Sequence, residues 1–269
     1  MQTSQDRWFL LGDLHGEAAP IDLFYWDNRD RLNLDDGNNH IILLGDVGAN
    51  FGLKGLRDQR FKKALSQYPF TYICLRGNHE SRVQNVINGN PRGWKQEHKY
   101  GGTIYVEKKY PKIEYLSDAP AVYEFAGYKT LSIPGAYSVD KWYRLSHKWT
   151  WFADEQLTEE EMELGRALKK TEAPFDLVIS HTCPWFYMPT DLFLPGLDQS
   201  TVDNTMERYL GELEYNLDYK RWAWGHYHAD RLYPWVDGKE KLMLFNEKVV
   251  DLRKFMEMRE TGTLREILA

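Results

Sequence analysis

The chain has 269 residues, 42% hydrophobic and 28% charged, which is enough to bury one substantial core. It contains no run of about eighteen apolar residues to span a bilayer, and its formal charge of −6 leaves no basic surplus for gripping long nucleic acid through its phosphates. A membrane is therefore not expected as a partner and long nucleic acid is disfavoured, while a phosphorylated small molecule or a nucleotide is the expected substrate.

The first apolar run, residues 8–11, reads as a short buried strand that stops at Gly12-Asp13. It is too short for a secretory signal and lacks a basic leader and a cleavage site, so a cytoplasmic location is expected. Residues 41–44 repeat the pattern before Gly45-Asp46, and residues 72–75 do so before Arg76-Gly77-Asn78-His79, with a helix predicted between them over 55–67. Residues 92–128 are less regular, carrying Gly101-Gly102, Pro111 and Pro120 among β-favouring residues, and are expected to form a cap or hairpin insertion beside the site. Further strands are predicted over 130–133, 177–179 and 222–224, ending at Pro134-Gly135, Ser180-His181 and Gly225-His226. Charged segments with spaced apolar residues predict helices over 154–170 and 201–217, and residues 249–269 read as a terminal helix interrupted near Gly262. No repeat or Pro/Gly/Ser-rich linker divides the chain, so a single domain over 1–269 is expected. Cys74 and Cys183 sit in or just after apolar runs and are expected to be reduced core thiols. Of the many aromatic residues, Trp142, Tyr143, Trp149, Trp151 and Trp185 are candidates to stack on a base, although packing is the commoner role for each.

Taken singly, the polar residues at the strand ends have ordinary structural readings. Asp13, Asp46 and Asn78 are common turn residues, and a lone His181 is more often a core histidine than a ligand. Their conjunction is different, because five separate strand ends deliver Asp13 and His15, then Asp46, then Asn78 and His79, then His181, then His226 and His228. Carboxylate and imidazole donors with one amide suit divalent Mn first, and also Fe, Zn or Ni, whereas an all-oxygen set would suit Mg or Ca. The lack of thiolate donors argues against a structural zinc site.

The motifs DxH at 13–15, GD at 45–46, GNHE at 77–80, a later histidine at 181 and GHxH at 225–228 resemble, in order and over nearly the whole chain, the calcineurin-like metallophosphoesterases. Residues 12–16 and 75–80 look especially like the phosphoprotein-phosphatase branch. Ser138-Val139-Asp140-Lys141 with Arg144, residues 149–155 and residues 180–184 are more similar to bacterial and phage members of undefined substrate. The resemblance implies an α/β fold, an αββα sandwich of two mixed sheets flanked by helices. It also implies two divalent metal ions bridged by Asp46, with Asp13, His15 and His228 completing one site and Asn78, His181 and His226 the other, and it makes His79 the proton donor to the leaving group. The chain departs from the phosphatase branch at Ala49 and Asn50, where that branch has Asp and Arg. The usual carboxylate partner of His79 and the usual phosphate-gripping arginine are thus missing, and Asn50, Arg76 and Arg144, with Arg82, are the candidates to contact substrate instead. The expected function is hydrolysis of a phosphomonoester or phosphodiester by metal-activated water. The alternatives are a cyclic-nucleotide phosphodiesterase, a dinucleoside polyphosphate hydrolase, a phosphoprotein phosphatase and, last, a non-catalytic scaffold on the same fold.

Overall fold

The computed structural model describes residues 6–53, 56–193, 199–236 and 238–269. Its strands are β1 (Arg7–Leu11), β2 (Asn39–Leu43), β3 (Phe70–Cys74), β4 (Trp94–Lys99), β5 (Gly102–Glu107), β6 (Ile113–Tyr115), β7 (Ala121–Phe125), β8 (Tyr128–Ile133), β9 (Phe175–Ser180), β10 (Tyr219–Trp224), β11 (Arg231–Val236), β12 (Lys239–Met243) and β13 (Val250–Asp251). They form two sheets, in the orders β13-β1-β2-β3-β6-β5-β4 and β11-β12-β10-β9-β8-β7. In each sheet four central strands run parallel and the outer ones are antiparallel, so both sheets are mixed.

The strands are apolar on both faces because both faces are covered. With a side-chain period of two, Leu10, Ile42 and Ile73 turn inward and meet Leu177, Ile179 and Ala223 of the other sheet, giving one core layer between the sheets. Their neighbours Phe9, Leu11, Ile41, Leu43 and Tyr72 turn outward and are covered by Ile21 and Phe24 of helix α1 (Ala19–Asn28) and Phe61 and Leu65 of α2 (Arg57–Leu65). After α3 (Val83–Gly89) and α4 (Lys141–Ser146), helices α5 (Glu159–Glu172) and α6 (Thr205–Glu214) cover the second sheet, where Met162, Leu210 and Leu213 pack on Val178, Trp222 and Trp224. The result is an αββα sandwich. Each fully buried Leu or Ile contributes roughly 1.5–3 kcal/mol to it.

All six predicted strands are present, with ends displaced by up to three residues. The helices differ more. Gly55, the start of the helix predicted over 55–67, lies outside the described residues, as do residues 1–5; α2 itself starts at Arg57. Helix α5 starts at Glu159, not 154, because Thr158 and Glu161 form a reciprocal capping box. The preceding carbonyls of Asp154 and Gln156 accept from Arg82 instead. Residues 94–107 form an antiparallel hairpin at the outer edge of the first sheet, while β6 and β7 extend the two sheets. The terminal segment contains β13 and two short helices, Leu252–Glu257 and Leu264–Ile267, with Gly262 between them. Cys74 and Cys183 are buried free thiols. Among the described residues no helix is long and apolar enough to cross a membrane.

His40, on β2, stacks on Trp8 with ring centroids 4.1 Å apart, and its Nδ1 is buried without a hydrogen-bond partner. Burial pushes its pKa down from 6.5 to about 4. As pH falls, the unfolded chain takes up this proton near 6.5 and the folded chain only near 4, so stability declines through that window. Between pH 7 and 4.5 the wild type should lose about 2 kcal/mol more than His40→Phe in urea unfolding. Parallel pH curves for the two proteins would remove His40 from the acid response.

Candidate metal centre

The parallel strands β1, β2 and β3 of one sheet and β9 and β10 of the other stop next to the same cluster of side chains. The backbone leaves them in sharp turns: His15, Asp46, His226 and His228 all have positive φ, at 50°, 47°, 71° and 51°. Such left-handed geometry costs a non-glycine residue on the order of 1 kcal/mol, a cost that is concentrated at functional sites. Two glycines permit the close approach. A Cβ on Gly45, whose φ is +95°, would collide with the His181 ring, and one on Gly77 would collide with the Asp46 carboxylate.

Asp46 is nearly central. Its Oδ1 lies 3.4 Å from His181 Nε2, and its Oδ2 lies 3.5 Å from His79 Nδ1 and 4.0 Å from His15 Nε2. The donor atoms of Asp13, His15 and His228 fall within 4.8 Å of one another, as do those of Asp13, Asp46 and His181. His15 Nε2 and His228 Nε2 are 2.9 Å apart. On the other side His181 Nδ1 is 2.8 Å from the Leu44 carbonyl, which turns Nε2 toward Asn78 Oδ1 at 2.9 Å. The His226 ring is 5.0 Å from that of His181, and its backbone N–H donates to both oxygens of Asp13 at 3.0 Å. The structure therefore brings together all eight residues expected at the centre.

The electrostatics show what this cluster lacks. Asp13 and Asp46 are buried, and among the described residues neither is paired with a lysine or arginine. Burial pushes Asp13 up to about 7. Burial acts the same way on Asp46, but His181 and His79 outweigh it and hold Asp46 well below the usual carboxylate range. Burial opposes a charge on His181, yet Asp46 beside it lifts its pKa to about 9. His15 is pushed down to about 4, and His226 and His228 are also lowered, all chiefly by burial. The two buried carboxyl groups thus have imidazoles as their neighbours, and elsewhere in the cluster ring nitrogens face each other. Divalent cations fit this donor set, because they compensate both carboxylates and give the converging His and Asn atoms a common partner.

A supporting shell fixes the ligands. Glu80, the last residue of the GNHE motif, accepts from Gly48 N at 3.0 Å and Gly77 N at 3.4 Å, tying two ligand loops together. Burial raises its pKa to about 7. Asn78 Nδ2 donates to Ser138 Oγ at 2.9 Å, and Ser138 donates through Oγ and N to Glu155 at 2.6 and 2.9 Å. This chain of bonds aims Asn78 Oδ1 at the cluster.

The residues expected to contact substrate divide. Arg144 lines the cavity of about 500 Å³ that opens on His15 and His79, and its Nη2 is 3.4 Å from His79 Nδ1. Asn50 and Arg76 do not line it. Asn50 is buried and accepts from Lys62 Nζ at 2.9 Å, and Arg76 donates to the Glu155 carbonyl at 2.6 Å with Asp118 3.4 Å from its Nε. Arg82 is engaged by Glu161 and by the carbonyls of Asp154 and Gln156. Asn50→Ala should accordingly leave KM unchanged within about twofold while lowering stability by about 1–2 kcal/mol, since it strips a buried ammonium of an acceptor. A several-fold rise in KM at unchanged stability would return Asn50 to the substrate.

The cavity is instead completed by Phe51, Arg57, Lys148, Trp149 and Thr150. The Arg57 and Arg144 guanidiniums lie 4.8 and 5.8 Å from the Phe51 ring centre. Of the aromatic residues singled out in the sequence, Trp149 lines this cavity and Trp142, Tyr143, Trp151 and Trp185 do not. No local motif marks Phe51, Arg57 or Lys148; only their place after the ligand loops hints at a role.

Residues 7–230 match the family model for calcineurin-like phosphoesterase. No curated protein sequence matches the chain. A solved structure 10% identical over 92% of this chain and 95% of its own superimposes with a TM-score of 0.52, a likeness of fold. A Thermus thermophilus protein is 13% identical over 93% of this chain and 96% of its own, with a TM-score of 0.49. A dimetal phosphatase from Danio rerio is 10% identical over 92% and 93%, with a TM-score of 0.46.

Proposed function

The chain belongs to the calcineurin-like phosphoesterase family, and on that premise we propose that it hydrolyses a phosphomonoester or phosphodiester of a small molecule with the help of two divalent ions. The observation that carries this reading is the convergence of Asp13, His15, Asp46, Asn78, His181, His226 and His228 around two buried carboxylates that have no lysine or arginine partner among the described residues. Asp13, His15 and His228 would hold one ion, Asn78, His181 and His226 the other, and Asp46 would contribute to both. The donor set suits Mn first, then Fe, Zn or Ni. Bound there, the two ions supply a water activated for in-line attack and neutralise the phosphoryl oxygens.

The chain's own residues do the rest. His79 faces the cluster from the open side and gives a proton to the leaving oxygen as the ester P–O bond breaks, while the attacking water releases one, so the proton count balances. Arg144 offers its guanidinium to the phosphoryl group from the cavity wall. A scaffold without activity would have no use for a complete ligand set plus His79, and buried charge of this kind serves stability poorly.

A second, narrower reading is favoured by the cavity. Arg57 and Lys148 have no carboxylate partner among the described residues, and Phe51 and Trp149 stand beside them. An ester that carries a further anionic group and a flat ring, such as a nucleotide, uses all four. A hydrolysis panel with Mn, Ni, Zn and Mg tests both readings against a simple monoester, a diester, cyclic nucleotides, dinucleoside polyphosphates and a phosphopeptide. No turnover on any ester with any metal would sink the phosphoesterase; preference for the phosphopeptide would sink the nucleotide reading.

A further inference from the structure

We propose that Asp140 is the positioning residue of His79, accepting from Nε2–H so that the Nδ1–H of the imidazolium faces the reacting centre, and that Asp140 with Arg144 supplies from the start of α4 what the missing acid at Ala49 does not. The proposal rests on the phosphoesterase reading above. Its basis is a loop fixed at one end and a carboxylate left half used. Beyond β8 the chain is anchored at Ser138, almost fully buried and bonded to Asn78 and to both oxygens of Glu155. Two residues further on, Asp140 projects beside His79.

Asp140 Oδ2 accepts from Arg144 Nε at 2.7 Å, one helical turn on. Oδ1 has no hydrogen-bond partner among the described residues, although it is shielded from solvent, and lies 3.8 Å from His79 Nε2. A buried carboxylate oxygen without a donor is unfavourable, and of the groups around it the His79 ring is the one placed to relieve it, by a shift of about 1 Å to ordinary hydrogen-bond length. The opposite ring nitrogen, Nδ1, points at Asp46 Oδ2, 3.5 Å away, and thus at the metal cluster. A carboxylate that accepts from one imidazole nitrogen fixes the tautomer and ring orientation for the other. Arg144 stands at the other ring nitrogen, with its Nη2 3.4 Å from His79 Nδ1, and is itself fixed because Thr150 O accepts from its Nη1 at 3.2 Å. Local sequence does not reveal the pair, since the two residues belong to loops after strands of different sheets.

The test is Asp140→Asn, alone and combined with His79→Asn, on the metal-loaded protein. The single variant should bind metal as the wild type does and lower kcat about 10–100-fold for an alkyl phosphoester, less than about threefold for an activated aryl ester, with KM unchanged. In the His79→Asn background it should add less than about twofold, because both changes remove one device. Asp140→Glu should recover part of the loss. Equal slowing of both esters, or effects that multiply in the double variant, would overturn the proposal. A second readout needs no turnover: in long-range 1H–15N NMR spectra of the metal-free protein, taken at a pH where the ring is neutral, His79 should keep its remaining proton on Nε2 in the wild type and lose that preference in Asp140→Asn. If no ester is hydrolysed, the functional reading fails while this spectrum still decides the pairing; an unchanged His79 signal would overturn it.

Discussion

Asp46→Asn should lower hydrolysis by about three orders of magnitude or more and reduce the metal held per chain. Asp46 reaches both sides of the cluster, with Oδ1 beside His181 and Oδ2 beside His79 and His15. Replacing one of its oxygens by an amide NH₂ removes a donor atom and half the anionic charge that the two carboxylates offer to cations. Metal assistance of this kind is worth several kcal/mol, and about 4 kcal/mol corresponds to a 10³-fold rate. The check is turnover together with metal content by mass spectrometry, with a melting curve of the metal-free protein to show that folding is intact. A variant that keeps its metal and more than about a tenth of its activity would remove Asp46 from the bridging role.

The second large effect is different in kind. His79→Asn should retain metal, since its ring stands to the open side of the ligand set, and should slow esters with poor leaving groups about 10²–10⁴-fold while hardly touching activated ones. His79 keeps its place in either case, because its backbone N–H donates to Asp46 Oδ1 at 2.8 Å whatever the side chain. Equal slowing of good and poor leaving groups would take the histidine out of proton transfer. Loss of metal would make it a ligand.

Much of this arrangement is legible in the sequence, because short apolar runs that stop at Gly-Asp, Gly-Asn-His or Gly-His are local signals and the ligands sit directly on them. The strand ends carrying Asp13, Asp46, Asn78, His181 and His226 are where the motifs place them. What local pattern does not encode is which side chain a residue meets across the fold. Asn50 looks available for phosphate until Lys62 of α2 is seen to occupy its amide, and Arg76 until the Glu155 carbonyl and Asp118 are. The same holds for Asp140, whose nearness to His79 joins loops from two different sheets. Helix α4 escapes prediction because it is short and its aromatic residues face outward, with Trp142 and Tyr143 both more than half exposed, so it has no apolar stripe to read. Helix α1 likewise mixes apolar and polar residues with little regularity and starts at a proline rather than a side-chain cap.

The most direct measurement is the metal stoichiometry of the purified chain after chelation and reloading with Mn, with hydrolysis of a phosphoester followed on the same samples. About two ions per chain are expected, with turnover absent in the chelated protein and restored on reloading. A folded chain that takes up no transition metal, or that hydrolyses the ester equally well before and after chelation, would contradict the dinuclear phosphoesterase.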